Sequence, residues 1–214
     1  MKCDPDKFLH KFVCHTLYFI VMFDLFLQSI EKHINLTAEE KRYDITLLRK
    51  KTLQKKQFLL RENDICTFSA FVHQGCLRGY TIDDNAVEHI LHFAPEGWWI
   101  ADMYSLLSGK PGNLYIEAIE KTEVFLLSKK DQESLYRDIP KFERFFRIIT
   151  ENSLVANRQR IIDMVSMTAY QRYDQFLERY PHLHDRIPQK MIAHYLGITP
   201  EFLSKIKSQQ INNL

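Results

Sequence analysis

Apolar residues recur at helical spacing near both ends of the chain and at strand spacing in its middle. Leu25, Phe26, Ile30 and Ile34 fall on one face of a helix. Thr37 then offers an N-cap and Glu40 completes a capping box, which predicts a second helix through about Leu48. From Thr52 to Ser128, short runs rich in Phe, Val, Ile, Tyr and Leu alternate with turn signals. Asp83-Asp84-Asn85, between Tyr80-Thr81-Ile82 and Val87–Phe93, predicts a hairpin. Glu120-Lys121-Thr122 predicts another turn, between Leu114–Ile119 and Glu123–Ser128. Many short strands at this spacing predict an antiparallel sandwich, barrel or roll. After Lys129 the period becomes helical again. A short helix is expected at Asp131–Tyr136. Pro140 opens a long one from about Lys141 to Ser166, and a third covers Ala169–Tyr180 before Pro181.

Within the long helix, Phe145, Ile148, Asn152, Val155, Gln159 and Ile162 follow a three-four spacing. That spacing fits the seam of a helix pair in a homodimer, with Asn152 and Gln159 as polar register-setting positions. A single helix packed on its own domain would show the same pattern.

The segment Ile187–Lys207 carries the most chemistry. Gln189–Leu196 reads as a short helix, with small Ala193 allowing a close crossing. Gly197 stands where the chain must take positive φ. Ile198 plugs the space between the helices, Thr199 caps the next helix and Pro200 occupies its first turn. Phe202, Leu203 and Ile206 are expected to face inward, leaving Glu201, Ser204, Lys205 and Lys207 outside. This is a helix-turn-helix pattern with a polar, basic second helix. Expected DNA contacts are Gln189, Thr199, Pro200, Glu201, Ser204, Lys205 and Lys207.

Charge sharpens that reading. The chain of 214 residues has a formal net charge of only +2, which excludes a uniformly basic nucleic-acid coat. Arg186–Leu214 holds four basic residues and one acid, a local patch. Six basic residues and no acid between Ile45 and Arg61 read as a solvated face or a second patch. Cys3, Cys14, Cys66 and Cys76 have spacings that match no zinc or haem pattern, so reduced thiols in a cytoplasmic protein are expected. His89 and His92 would lie on opposite faces of a strand, and His182-Leu183-His184-Asp185 lies in a turn, so no metal is expected. Lys2, Lys7 and Lys11 before the apolar run Thr16–Leu27 suggest a signal peptide, but Asp24 interrupts the run and no cleavage site follows. The uninterrupted part, Leu17–Phe23, is too short to span a membrane, and residues 1–21 are expected to be an extension without a fold role.

The chain resembles the Crp/Fnr family of bacterial regulators, and is most similar to the branch common in Bacteroidetes. The resemblance covers about residues 23–207. It rests on Gln189–Ser204 and, upstream, on Phe58–Glu62, Glu88–Leu91, Trp98–Asp102 and Ile139–Arg144. It implies an α+β fold: a cyclic-nucleotide-binding-like β-roll over residues 22–139, a dimerisation helix over 140–166, and a winged-helix or helix-turn-helix domain over 167–214. The chain leaves little room after the second helix for the strands of a wing. The family's recognition-helix readers fall on Pro200, Glu201 and Lys205, so one arginine reader is lost. The Gly-Glu and Arg-Ser pairs that hold the cyclic nucleotide in some members fall on Ala101-Asp102 and Gly112-Asn113. Without the phosphate-binding arginine, cyclic AMP is not the expected effector. The N-terminal cysteine cluster of the iron–sulfur members is also absent. Trp98, Trp99, Asp102, Tyr104, Asn113 and Tyr115 are candidates for a pocket for an unknown effector, or for roll core.

The implied function is dimeric, sequence-specific transcription regulation. Expected partners are an inverted-repeat DNA operator, a second copy and RNA polymerase, with no cofactor and no membrane. The alternative is a sensor whose C-terminal helical hairpin docks a protein. Steep loss of affinity with salt would mark the DNA binder. No nucleophile–base motif or P-loop supports an enzyme.

Overall fold

The alternation across the middle of the chain becomes two antiparallel four-stranded sheets in the computed structural model, which describes residues 22–212. The strands are β1 (Arg49–Leu53), β2 (Phe58–Leu60), β3 (Phe68–Gln74), β4 (Leu77–Ile82), β5 (Glu88–Ala94), β6 (Trp99–Ile100), β7 (Tyr115–Ala118) and β8 (Thr122–Ser128). One sheet runs β1-β8-β3-β6 and the other β2-β7-β4-β5. The expected hairpin is β4–β5, with Ile82 opposite Glu88 and Tyr80 opposite Ile90. Its turn is built on Asp83, whose Oδ1 accepts from the N–H groups of Asn85 and Val87 at 2.9 Å each. The Glu120–Thr122 turn has another role: it carries the chain from one sheet to the other.

Helices flank the roll. Residues 22–31 form α1. Next come α2 (Ala38–Leu47), α3 (Met103–Ser108), α4 (Lys129–Asp138), α5 (Lys141–Ser166), α6 (Ala169–Arg179), α7 (Gln189–Leu196) and α8 (Pro200–Asn212). The capping box of α2 is present: Glu40 N–H donates to Thr37 Oγ1 at 3.3 Å, and Thr37 N–H to Glu40 Oε2 at 2.7 Å. The short helix expected at Asp131 starts earlier, because Ser128 caps it by accepting from Asp131 N–H at 3.0 Å. The described C-terminal domain holds α6–α8 and no strand. The extension expected at residues 1–21, with Cys3 and Cys14, lies outside the described residues. Cys66 and Cys76 are free and buried.

Side-chain alternation sends each sheet's two faces into different cores. Ala70, Val72, Leu77, Ile116 and Val124 fill the space between the sheets. Phe71 and Phe125 point the other way, onto α1, α4 and the start of α5, where they meet Phe23, Phe26, Leu135, Phe142 and Phe145. Tyr80, Ile90 and Phe93, on the outer face of the second sheet, pack against Tyr173 and Phe176 of α6, its C-cap Tyr180, and Ile192 and Tyr195 of α7. The roll is therefore covered by helices on both outer faces. Truncating a ring such as Phe93 to alanine costs about 3–5 kcal/mol in sites of this kind.

Several charge-bearing groups are buried, and Asp44 is the most completely enclosed of them among the described residues. Asp44 on α2 is fully buried, and neither carboxylate oxygen has a hydrogen-bond partner among the described residues. Burial pushes its pKa up to about 8, so the folded protein holds it protonated at neutral pH. Between the unfolded value of 3.8 and about 8, the native state binds a proton that the unfolded chain releases. The contribution of Asp44 to stability is thus complete at low pH and is lost as pH rises through about 8. Asp44→Asn is expected to flatten that loss. Its melting temperature should gain on the parent by several degrees between pH 5 and pH 8.5, since about 1.4 kcal/mol is at stake for each pH unit over which the native state alone holds the proton. Melting curves at the two pH values check this, and equal gains at both would refute it.

Candidate functional site

The helix pair α7–α8 follows from its sequence step by step. Leu196 ends α7, and Gly197 takes φ 66°, a left-handed conformation that lets its N–H return to Ala193 O. A Cβ at Gly197 would meet only the flexible end of Met164 of α5, so the positive φ is what favours glycine here. Thr199 caps α8, its Oγ1 accepting from Phe202 N–H at 3.2 Å. Leu203 and Ile206 are buried against α7, as their spacing predicts. Glu201, Ser204, Lys205 and Ser208 are exposed on the opposite side. Thr199 and Pro200 are exposed at the helix start. Gln189 and Lys207 meet at one edge, Lys207 Nζ donating to Gln189 Oε1 at 3.1 Å. Phe202, expected inside, is instead 39% exposed. The inward face of α8 is already filled by Leu203 and Ile206, one position further round the helix.

The long helix α5 is buried only at its start. Phe145 is 1% exposed and packs on His33, Trp99 and Phe146 of its own chain, so it takes no part in an outward seam. Further on, the helix leaves the roll's cover. Val155 and Ile162 lie exposed at the expected heptad spacing, at 68% and 47%, and Ile148 is half-buried. Leu154, Ile161 and Val165 widen the same apolar stripe. These three were missed because the three-four count follows a single row and not its flank. Asn152 and Gln159 are exposed beside the stripe, and Gln159 Nε2 donates to Asp163 Oδ1 at 2.8 Å.

The six pocket candidates are not brought together. Trp98 lies against Tyr180 and the Arg179 guanidinium, at the C-terminal domain. Trp99 turns to the opposite side, among Phe26, Phe71, Phe145 and Phe146. Adjacent residues in an extended segment must diverge in this way. Tyr104 and Asn113 are exposed. Tyr115 stacks on Tyr80 at 5.2 Å and donates its hydroxyl to Glu62 at 3.0 Å. Asp102 is buried as the N-cap of α3, accepting from Ser105 N–H at 3.0 Å through Oδ1. Its Oδ2 is buried without a partner among the described residues, and a Cβ at Gly112 would stand 2.1 Å from it. A carboxylate thus fills the corner beside Gly112.

Two charged groups escaped the reading by pattern. Arg78 on β4 is buried, donating to Glu117 of β7 at 2.9 Å and to Glu88 of β5 at 2.6 Å, with its guanidinium 4.0 Å from the Tyr80 ring centre. Burial acts against the Arg78 cation, but the two carboxylates hold its pKa above the ordinary value. Burial likewise lifts the Tyr80 hydroxyl to about 12. The second is Arg160 of α5. It donates to the carbonyls of Ile90 and Leu91 on β5 and of Tyr195 on α7, and lies 4.2 Å over the Tyr195 ring. Beside it, His92 packs on Gly79, and burial together with Arg160 and Arg179 lowers its pKa to about 4. His89 turns away to Asp83, 2.9 Å off.

Residues 50–138 match the family model of the cyclic nucleotide-binding domain. A curated relative, the anaerobic regulatory protein of Aggregatibacter actinomycetemcomitans, is 22% identical over 174 residues, covering 76% of this chain and 67% of its own. Among solved structures, FixK2 of Bradyrhizobium japonicum superposes with a TM-score of 0.68 at 22% identity, over 78% of this chain and 85% of that one. The c-di-GMP responsive global regulator CLP of Xanthomonas campestris gives 0.68 at 13% identity, over 83% and 94%. The fold and the matched domain define the class: a cyclic-nucleotide-binding-type roll joined by a long helix to a C-terminal helical domain. Within that class, the chain is similar to Crp/Fnr-type regulators in its matched domain and its fold. Among the described residues no helix is long and apolar enough to cross a membrane.

Proposed function

We propose that this regulator binds an inverted-repeat DNA operator as a homodimer, with α8 as the recognition helix. The observation that carries the reading is the split surface of α8. Leu203 and Ile206 anchor it, while Glu201, Ser204 and Lys205 stand free on one face. Glu201 and Lys205 are one helical turn apart and project together. Lys205 suits guanine, and Glu201 suits the cytosine amino group. The start of α8 at Thr199 and Pro200 presents free N–H groups to a phosphate. Lys207 and Gln189, joined at the edge, suit phosphate contacts that fix register. The working division is a sensor roll over 22–139, a dimer helix over 140–166 and the DNA-binding domain over 167–214. The Trp98–Asp102 and Gln189–Ser204 segments support placement in the branch common in Bacteroidetes. RNA polymerase is proposed as a further partner.

The exposed stripe of α5 supports the dimer. Val155, Ile162 and Val165 are large apolar side chains left in water by the single chain, and a second copy of the same stripe would cover them. In the roll, the Asp102 carboxylate beside Gly112 supports an effector other than a cyclic nucleotide, since it would repel a phosphate placed there.

Binding-site selection from random duplexes tests the DNA reading. Lys205→Ala is expected to cost about 1–3 kcal/mol and relax one base pair per half-site. Lys207→Ala should weaken all sequences alike and reduce the salt slope by about one. Unaltered binding in both variants would leave the protein-docking alternative standing. Sedimentation of Val155→Glu/Ile162→Glu is expected to give monomers, and an intact dimer would place the interface elsewhere. Calorimetry with cyclic AMP is expected to give no heat of binding, and micromolar affinity would contradict the role given to Asp102.

A further inference from the structure

We infer that Phe202 is a specificity-determining residue that recognises the 5-methyl group of a thymine in the major groove. The inference rests on the DNA-binding reading of α8 and adds a contact that polar side chains do not supply.

Phe202 is the one large apolar residue among the outward positions of the first two turns of α8, and it is 39% exposed. It stands one position after Glu201 and three before Lys205, so it lies on the flank of the same outward face. Its backbone is fixed, because its N–H donates to the Thr199 cap at 3.2 Å. Its ring is fixed as well. Tyr170 of α6 meets it edge-on, with ring centroids 6.2 Å apart and planes at 79°. The Tyr170 hydroxyl in turn donates to Gln209, one turn further along α8 than Lys205. Two helices therefore hold an aromatic face at the rim of the reading surface. It is not needed to fill the core, which Leu203 and Ile206 already close.

A pre-positioned apolar face beside groove-reading side chains has one strong complement among the base edges. In the major groove, adenine, guanine and cytosine present hydrogen-bonding atoms, and only thymine presents a methyl group. Burying that methyl against the ring is worth about fourfold in affinity per contact, from roughly 0.8 kcal/mol per methyl-sized group. The Phe202 phenyl ring carries no polar donor or acceptor, so its gain at this position comes from the methyl group that only thymine presents there.

The experiment uses the full chain and the duplexes enriched by selection from a random library. Each thymidine in the enriched site is replaced in turn by 2′-deoxyuridine, which removes only the methyl. Wild type is expected to lose about fourfold at one thymine per half-site. That loss should vanish in Phe202→Ala, persist in Phe202→Leu, and persist in Lys205→Ala. Matching melting temperatures for the three variants would exclude loss of fold. No deoxyuridine effect at any position, or an effect that survives in Phe202→Ala, would overturn the inference while leaving DNA binding intact. Failure to enrich any duplex would overturn the DNA-binding reading itself, and this inference with it.

Discussion

The arrangement of the molecule depends on Arg160. This side chain leaves the long helix at the point where α5 passes out from under the roll, and it satisfies carbonyls in two other units, Ile90 and Leu91 on β5 and Tyr195 on α7. A cation withdrawn from water costs several kcal/mol unless its donors are all used. Hydrogen bonds to a charged group return about 1.5–3 kcal/mol each. The guanidinium is also laid over the Tyr195 ring. The geometry is met only when the helix, the roll and the C-terminal domain stand in one relative position. Around it, Phe93, Phe176, Tyr180 and Tyr195 form a continuous aromatic cluster that belongs to no single domain. The polar clamp sets the angle, and the apolar cluster provides the stabilising area.

The same logic explains why the roll has so few surfaces left for solvent. Strand alternation gives each sheet an inner and an outer apolar face, and an outer face in water would be a liability. One is capped by α1, α4 and the start of α5, and the other by α6 and α7. Arg78 is tolerated in this setting because its register places it opposite Glu117 and within reach of Glu88, so the cation is paired before it is buried. Many of the apolar residues that remain uncovered lie on the distal part of α5, on the side turned away from the Arg160 contact: Leu154, Val155, Ile161, Ile162 and Val165.

Much of this was legible in the chain itself. The capping box at Thr37 and Glu40, the Asp83 hairpin, the bounds of α5 and the Gly197 turn all rest on local chemistry, and local chemistry is what a sequence records. The helix α3 was not read, because its stop at Gly109 and its cap at Asp102 sit inside a strand-rich region. The pocket candidates failed to converge for a different reason. Trp98 and Trp99 are neighbours in sequence, and extended backbone makes neighbours point apart. Phe145 was placed in a seam by its spacing, but spacing says which face a residue shares and not what covers it. Arg160 left no local trace at all: its acceptors lie about seventy residues upstream and thirty-five downstream.

Charge distribution connects these packing facts to the proposed DNA contact. The C-terminal segment has a small basic surplus, and part of it is already committed within the chain. Arg186 pairs with Glu96 and Glu120, which fasten the domain to the turns of the roll. Burial works against the Glu96 carboxylate, yet Arg186 and the Gly75 N–H hold its pKa below the usual range. Lys205 is exposed on α8, Lys207 bonds the neutral Gln189, and Lys190 lies exposed at the start of α7, where its charge is felt at Glu88. The roll therefore consumes the cation nearest to it and leaves those on the outward side of α7 and α8. A chain that is nearly neutral as a whole can in this way keep a basic surplus on one face, with Glu96 and Glu120 used in the domain contact and Glu201 the one acid among the four basic residues of Arg186–Leu214.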